Sequence, residues 1–161
     1  MADRSCFFIG HRDATREVLP ALEETVEQHI SEYSVTEFIV GSYGGFDRLA
    51  ASTVIHAKKR HPHITLTLLL PYHPAERPLG KPAGFDRTYY PPDMEKVPRR
   101  LAIVRANRYV VDHVDYLIAY AWHPASNARE LTEYAKKREE RGFIKVSVIE
   151  KNKFNKSNRR W

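Results

Sequence analysis

Three clusters in this chain combine residue types that bind anions and sugars. The first is Gly41-Ser42-Tyr43-Gly44-Gly45-Phe46-Asp47, set between the apolar run Phe38-Ile39-Val40 and an amphipathic segment that begins at Phe46. A short β-branched run, clustered glycines and then a helical pattern describe a strand-loop-helix phosphate cradle, with helix amides facing a bound anion. Glycine suits such a loop because it lets the backbone close on a ligand and reaches positive φ cheaply. The same residues also suit a tight strand-to-helix turn that binds nothing. The second cluster is Gly10-His11-Arg12, after the apolar run Cys6-Phe7-Phe8-Ile9. Arg12 can pair with a phosphate through two parallel hydrogen bonds, and His11 can donate to a phosphate or ribose oxygen. The alternatives are a surface ion pair of Arg12 with Glu17 and a helix-entry hydrogen bond from His11. The third cluster is Arg105, Asn107, Arg108 and Asp112, with Arg99 and Arg100 upstream. Arg105, Arg108 and Asp112 share a helix face, where Arg108 and Asp112 at i, i+4 also make an ordinary structural pair.

Acid-base candidates are fewer. Asp47 reads as an N-cap or ribose binder, and Glu76 is the general base if the chain is an enzyme. No catalytic residue is assigned otherwise. The eight histidines are scattered, His61-Pro62-His63 included, and give no first-row metal spacing, so neither a metal nor a cofactor is expected. Ser42 lacks the Gly-x-Ser-x-Gly context of a hydrolase elbow. The glycine loop ends in neither Gly-Lys-Ser nor Gly-Lys-Thr and is no Gly-x-Gly-x-x-Gly, which argues against P-loop hydrolysis and against a dehydrogenase.

The elements that position these residues follow from periodicity. Ser5–Gly10 reads as a strand buried on both faces. Val18, Leu22, Val26 and Ile30 form one helical stripe, opened by Asp13 or Thr15 as cap. Thr36–Val40 is the second strand. Phe46, Leu49, Ala50, Thr53, Val54 and Ala57 mark a helix ending near Arg60, and Ile64–Leu70 is the third strand. The segment 72–98 differs from the rest: seven of the ten prolines fall between Pro71 and Pro98, with Tyr72, Phe85, Tyr89 and Tyr90 among them. It reads as an ordered lid over a site, with Tyr89 or Tyr90 placed to stack on a base. Leu101–His113 is a helix, Tyr116–Ala121 a strand, Ser126–Arg141 a polar helix closed by Gly142, and Phe143–Ile149 the fifth strand. Alternating strands and helices predict an α/β fold, a Rossmann-like three-layer sandwich with a mostly parallel five-stranded sheet. Ligands of such sheets bind beyond the carboxyl ends of the strands, where all three clusters are expected.

A chain of 161 residues suits one domain, here residues 1–150. One cysteine, Cys6, excludes an intramolecular disulfide and fits a reducing cytoplasm. No secretory leader and no apolar run of about eighteen residues is present, so no membrane partner is expected. The net charge of +6 is concentrated at the end of the chain: residues 151–161 carry five basic residues and no acid, and without them 21 basic residues face 20 acidic ones. That segment reads as a disordered basic tail, which leaves nucleic acid as an unlikely partner for the body of the chain.

Phe8-Ile9-Gly10-His11-Arg12, Gly44-Gly45-Phe46-Asp47-Arg48-Leu49-Ala50, Leu69-Leu70-Pro71-Tyr72, Ala75-Glu76-Arg77, Arg105 through His113 and Asp115-Tyr116-Leu117-Ile118-Ala119 occur in that order along the chain. With these blocks it resembles the SLOG superfamily, in particular its YpsA-like branch, small Rossmann-like proteins common in bacteria and their prophages. The resemblance implies a nucleotide-type ligand at the strand ends, since some relatives sense NAD-derived or ADP-ribose-like signals. It also implies a homo-oligomer and a role as sensor or sequestering protein, in a prophage against host immune signalling. LOG relatives cleave nucleoside monophosphates at the N-glycosidic bond, which makes a phosphoribohydrolase the alternative. DprA relatives bind single-stranded DNA, which makes an adaptor using Arg99, Arg100 and the tail a second one. The family's second glycine cluster, Gly-Gly-Thr, is replaced by Trp122-His123-Pro124-Ala125-Ser126-Asn127. Ser126 and Asn127 retain the means to cap a helix and bind a phosphate oxygen, and Trp122 and Arg129 can reshape the pocket.

Overall fold

Along the first strand, β1 (Arg4–Gly10), the side chains alternate between two cores: Cys6 and Phe8 enter one, Phe7 and Ile9 the other. A strand buried on both faces needs a helical layer on each side, and the chain supplies two. Helices α1 (Leu19–Ser31) and α2 (Gly45–Ala57) cover the face of Cys6 and Phe8, while α3 (Ala102–His113) and α4 (Asn127–Glu140) cover the face of Phe7 and Ile9. In α1 the buried residues Leu22, Val26 and Ile30 fall on the predicted stripe. Its start differs from expectation. A 3-10 turn at Arg16–Val18 leads in, neither cap residue makes a side-chain cap bond, and Pro20 occupies an early position where no amide acceptor exists.

The computed structural model describes residues 3–76 and 81–151. The tail from 152 onward, Arg77 and the rest of 77–80 lie outside the described residues. The remaining strands are β2 (Val35–Val40), β3 (Thr65–Leu69), β4 (Arg87–Tyr89), β5 (Tyr116–Tyr120) and β6 (Lys145–Val148). All neighbouring pairs are parallel, in the order β4-β3-β2-β1-β5-β6. The α/β sandwich is therefore as predicted, but the sheet has six strands rather than five.

The additional strand is β4, inside the proline-rich segment. All three of its residues are exposed, so it leaves no apolar pattern in the sequence. Main-chain bonds hold it instead: the Asp86 amide donates to the Leu66 carbonyl at 2.8 Å and the Leu70 amide to the Tyr89 carbonyl at 2.8 Å. The Asp86 carboxylate accepts from the Leu66 amide at 2.8 Å and from Lys58 Nζ at 2.7 Å, fastening the edge to α2. This is an edge strand made by hydrogen bonding rather than by burial. No helix among the described residues is long and apolar enough to cross a membrane.

Candidate functional site

The chain builds outward from β1 in both directions, to β2, β3 and β4 on one side and to β5 and β6 on the other. Strand order thus reverses between β1 and β5, and the loops leaving their carboxyl ends diverge. At that point lies a cleft of about 380 Å³, lined by Gly10, His11, Arg12, Gly41, Asp47, Asn107, Trp122, His123, Ser126 and Asn127 among others. Its volume falls toward the small end of small-ligand sites, ~300–1,000 Å³.

The glycine loop borders this cleft, but three of its amides are used by the protein. The Gly45 amide donates to the Arg12 carbonyl at 2.7 Å and the Phe46 amide to the His11 carbonyl at 3.2 Å. The Tyr43 amide donates to Asp47 Oδ2 at 3.0 Å. The start of α2 is therefore docked on the loop after β1, and the glycines permit that docking. A Cβ at Gly45 would stand 2.6 Å from the Ala14 carbonyl oxygen and 2.7 Å from that of Arg12. Gly44 has φ 153° and ψ −178°, a region essentially confined to glycine, with Arg12 Cα 2.7 Å from where its Cβ would be.

The anion-facing helix end at this cleft is instead that of α4. Ser126 caps it, its Oγ accepting from the Arg129 amide at 3.1 Å and donating to the His123 carbonyl at 2.9 Å. The amides of Asn127 and Ala128 fall in the first turn, where no intrahelical acceptor exists, and both residues line the cleft. Arg12 is exposed at the rim, and no ion pair joins it to Glu17 among the described residues.

His11 is buried, 7 % exposed, and its Nε2 accepts the His123 amide at 3.0 Å. That bond ties the loop after β1 to the loop after β5. It also fixes the tautomer: Nε2 is unprotonated, so Nδ1 carries the hydrogen and is a donor. Burial pushes the pKa of His11 down from 6.5; Asp13 opposes this, and His123 and Lys151 add to it. The sign is that of a depressed group. Its contribution to stability is complete above the unfolded value and is lost as pH falls through the lower folded one. In an NMR titration the His11 ring is expected to stay neutral until below pH 6.5, and the His123 amide resonance is expected to move in the same step. A ring titrating at its ordinary value with an unmoved amide would show that the bond is not made.

Asp47 is the second unusual group. It is half-buried, and burial raises its pKa from 3.8 to about 6, the Tyr43 amide opposing the shift. Oδ2 takes that amide, and no protein donor reaches Oδ1 among the described residues. Asp47 and α4 leave the ends of β2 and β5 with β1 between them, so the carboxyl and the α4 amides stand two strand spacings apart, roughly 10 Å.

The other predicted residues lie elsewhere. Arg105 and Arg108 line a separate hollow with Met94, Val97 and Tyr109, and Arg108 stacks on Tyr134 at 4.4 Å. The expected convergence of these arginines with the glycine loop is not formed; only Asn107 of that helix motif reaches the cleft. Partial loss of water around the Tyr89 hydroxyl, and then Tyr109, against which its ring packs, push that hydroxyl up to about 12. Tyr90 donates to Glu95 at 3.4 Å, Glu76 faces Arg99 at 3.6 Å, and Ser42 is exposed in its loop. None of these lines the cleft, and neither does any described residue of the proline-rich segment. Tyr43, Ile103, Val104 and His123 line it without having been singled out. The pair Ile103 and Val104 gave no separate signal, because apolar residues of a helix read as core wherever they point. Among the described residues, no group of three or more His, Cys, Asp or Glu could hold a metal ion. Set against protein-family models and against curated proteins, the chain matches none.

Proposed function

We propose that the chain binds a nucleotide-derived small molecule, of the ADP-ribose or NAD-derived kind, in the cleft between the ends of β1 and β5, as a sensor or sequestering protein. The observation that carries this reading is the division of polar groups within one cleft. The α4 end offers donors in the Asn127 and Ala128 amides and in His11, which is tied to the His123 amide, while Arg12, packed against Gly44, lines the cleft from the glycine-loop side. The Asp47 carboxyl lines the same cleft from the end of β2, and Ile103, Val104 and Trp122 add apolar lining. An anion, a sugar and a flat ring in one ligand satisfy all three. Tyr89 and Tyr90 are not needed for stacking, since Trp122 lines the cleft itself.

Isothermal titration with ADP-ribose, NAD and AMP tests this. Saturable binding of at least one is expected, weakened about 10-fold by Arg12→Ala, the loss of one charge-assisted contact. Absence of heat from all three at high micromolar concentration would overturn the reading. Chromatography of the incubated mixtures should return each nucleotide intact; release of free base would replace binding by N-glycoside cleavage.

A further inference from the structure

Asp47 carries a cost that its structural contacts do not explain. Its one hydrogen bond among the described residues, Oδ2 with the Tyr43 amide, is a bond that a neutral Asn side chain at this position could also accept. An acid here instead has its charged form disfavoured by burial. A residue that breaks a local rule without a local return marks a place where a ligand supplies the return.

The neighbouring backbone supports this independently. Gly41 has no positive φ, so its turn does not require glycine. What its missing side chain does is leave the carboxyl uncovered: a Cβ at Gly41 would stand 3.0 Å from Asp47 Oδ2 and 3.7 Å from its Cγ. Both residues line the cleft. An ionised carboxylate is an acceptor only, with about four lone-pair sites, of which one is taken. It repels a phosphate and accepts from hydroxyls. Two neighbouring hydroxyls can bond its two oxygens together, as one hydroxyl cannot. The anionic part of the ligand is held off to the α4 end, roughly 10 Å away across two strand spacings, which fixes the direction in which the ligand lies.

We infer that Asp47 is the specificity-determining residue of the cleft, and that it selects ligands presenting a vicinal diol, so that ribonucleotides bind and their deoxy counterparts are rejected. This rests on the cleft being a nucleotide site.

The test compares AMP with 2′-deoxy-AMP and 3′-deoxy-AMP by titration at pH 7.5, on the wild type and on Asp47→Asn and Gly41→Ala. In the wild type each deoxy compound is expected to bind about 10-fold to 100-fold more weakly than AMP, the range for a hydrogen bond to a charged group. In Asp47→Asn the oxygen that takes the Tyr43 amide is kept and the other becomes an amide nitrogen, so the acceptor pair is lost, and the preference is expected to fall below about 3-fold with the protein still folded by circular dichroism. In Gly41→Ala the added methyl group crowds the carboxyl, and AMP binding is expected to weaken while 2′-deoxy-AMP binding changes less. A purely structural Asp47 would alter both affinities together and leave their ratio unchanged. Equal binding of AMP and both deoxy compounds to the wild type, or a ratio that survives Asp47→Asn, overturns the inference and leaves the nucleotide site standing. No binding of AMP, ADP-ribose or NAD overturns both.

Discussion

Replacing Gly10 by Ala is expected to lower the stability of the protein by about 3 kcal/mol or more, the upper range for overpacking a filled core. The added Cβ would lie 2.2, 2.3 and 2.7 Å from three atoms of Phe46. Phe46 has no exposed surface and no room to retreat: its ring packs against Phe8 at 6.4 Å on one side and Tyr120 at 5.9 Å on another. Its amide is also fixed, donating to the His11 carbonyl at 3.2 Å. The strain therefore falls on the junction of β1 with α2. For a chain of this size the loss corresponds to a fall in melting temperature of roughly 6–12 °C. A second substitution, Phe46→Leu in the Gly10→Ala background, should recover part of the loss, whereas Phe46→Leu alone should destabilise. If Gly10 served instead to let a ligand approach the backbone, Gly10→Ala would leave the melting temperature unchanged and affect only binding.

Asp47→Asn is expected to act in the opposite direction, and only at neutral pH and above. The folded pKa of Asp47 is raised from 3.8 to about 6, so the folded protein retains a proton that the unfolded chain has released. A group of this sign favours folding at low pH, and its contribution is lost as pH rises from the unfolded value through the folded one. Near pH 8 the ionised side chain therefore opposes folding, by up to ~3 kcal/mol for a shift of about two units. Asn carries no charge, and its oxygen keeps the Tyr43 amide. Urea unfolding should find the variant more stable than the wild type by about 1–3 kcal/mol at pH 8 and equal to it near pH 4. Buried His11 and His29, whose pKa values are lowered, destabilise the protein on acidification in both variants and cancel in the difference. Equal stability at pH 8 would mean that the carboxylate is already satisfied there. Combined with the binding ratios, a gain in stability paired with a loss of diol preference would identify Asp47 as a group retained for ligand at the expense of the fold.

The two substitutions separate roles that one stretch of sequence runs together. In Gly41 to Asp47 the glycines read together as one anion cradle, because clustered glycine before a helix has that meaning in many proteins, with Asp47 as an N-cap or ribose binder beside it. In this fold Gly44 and Gly45 serve the packing of α2 on the loop after β1, and the amides of Gly45 and Phe46 end on protein carbonyls. Gly41 and Asp47 face the cleft. Spacing alone could not sort them, since the acceptors that take the Gly45 and Phe46 amides belong to Arg12 and His11, more than thirty positions earlier.

Burial periodicity carried most of the architecture in the sequence. The runs Cys6–Ile9, Phe38–Val40 and Leu117–Ala119 are apolar without alternation, and Leu66, Thr67, Leu68 and Leu69 are all buried, because both faces of a covered parallel sheet are dry, and the stripes of α1 and α2 repeat at helical spacing because each has one dry face. Those patterns specify an α/β sandwich and place Gly10-His11-Arg12 and the glycine loop at strand ends. β4 was not legible, because a strand fixed by the amides and carbonyls of Leu66, Leu70, Asp86 and Tyr89 writes nothing into its side chains. Nor was the direction of α3: Asn107 and Arg105 sit two positions apart, and the helical turn sends one into the cleft and the other into a different hollow. The tautomer of His11 and the raised pKa of Asp47 likewise come from three-dimensional surroundings, a main-chain amide 112 positions away in one case and loss of water in the other. Sequence determined which residues could do chemistry and at which rim of the sheet they stand; tertiary structure decided which of them meet, because hydrogen bonds and desolvation depend on neighbours in space.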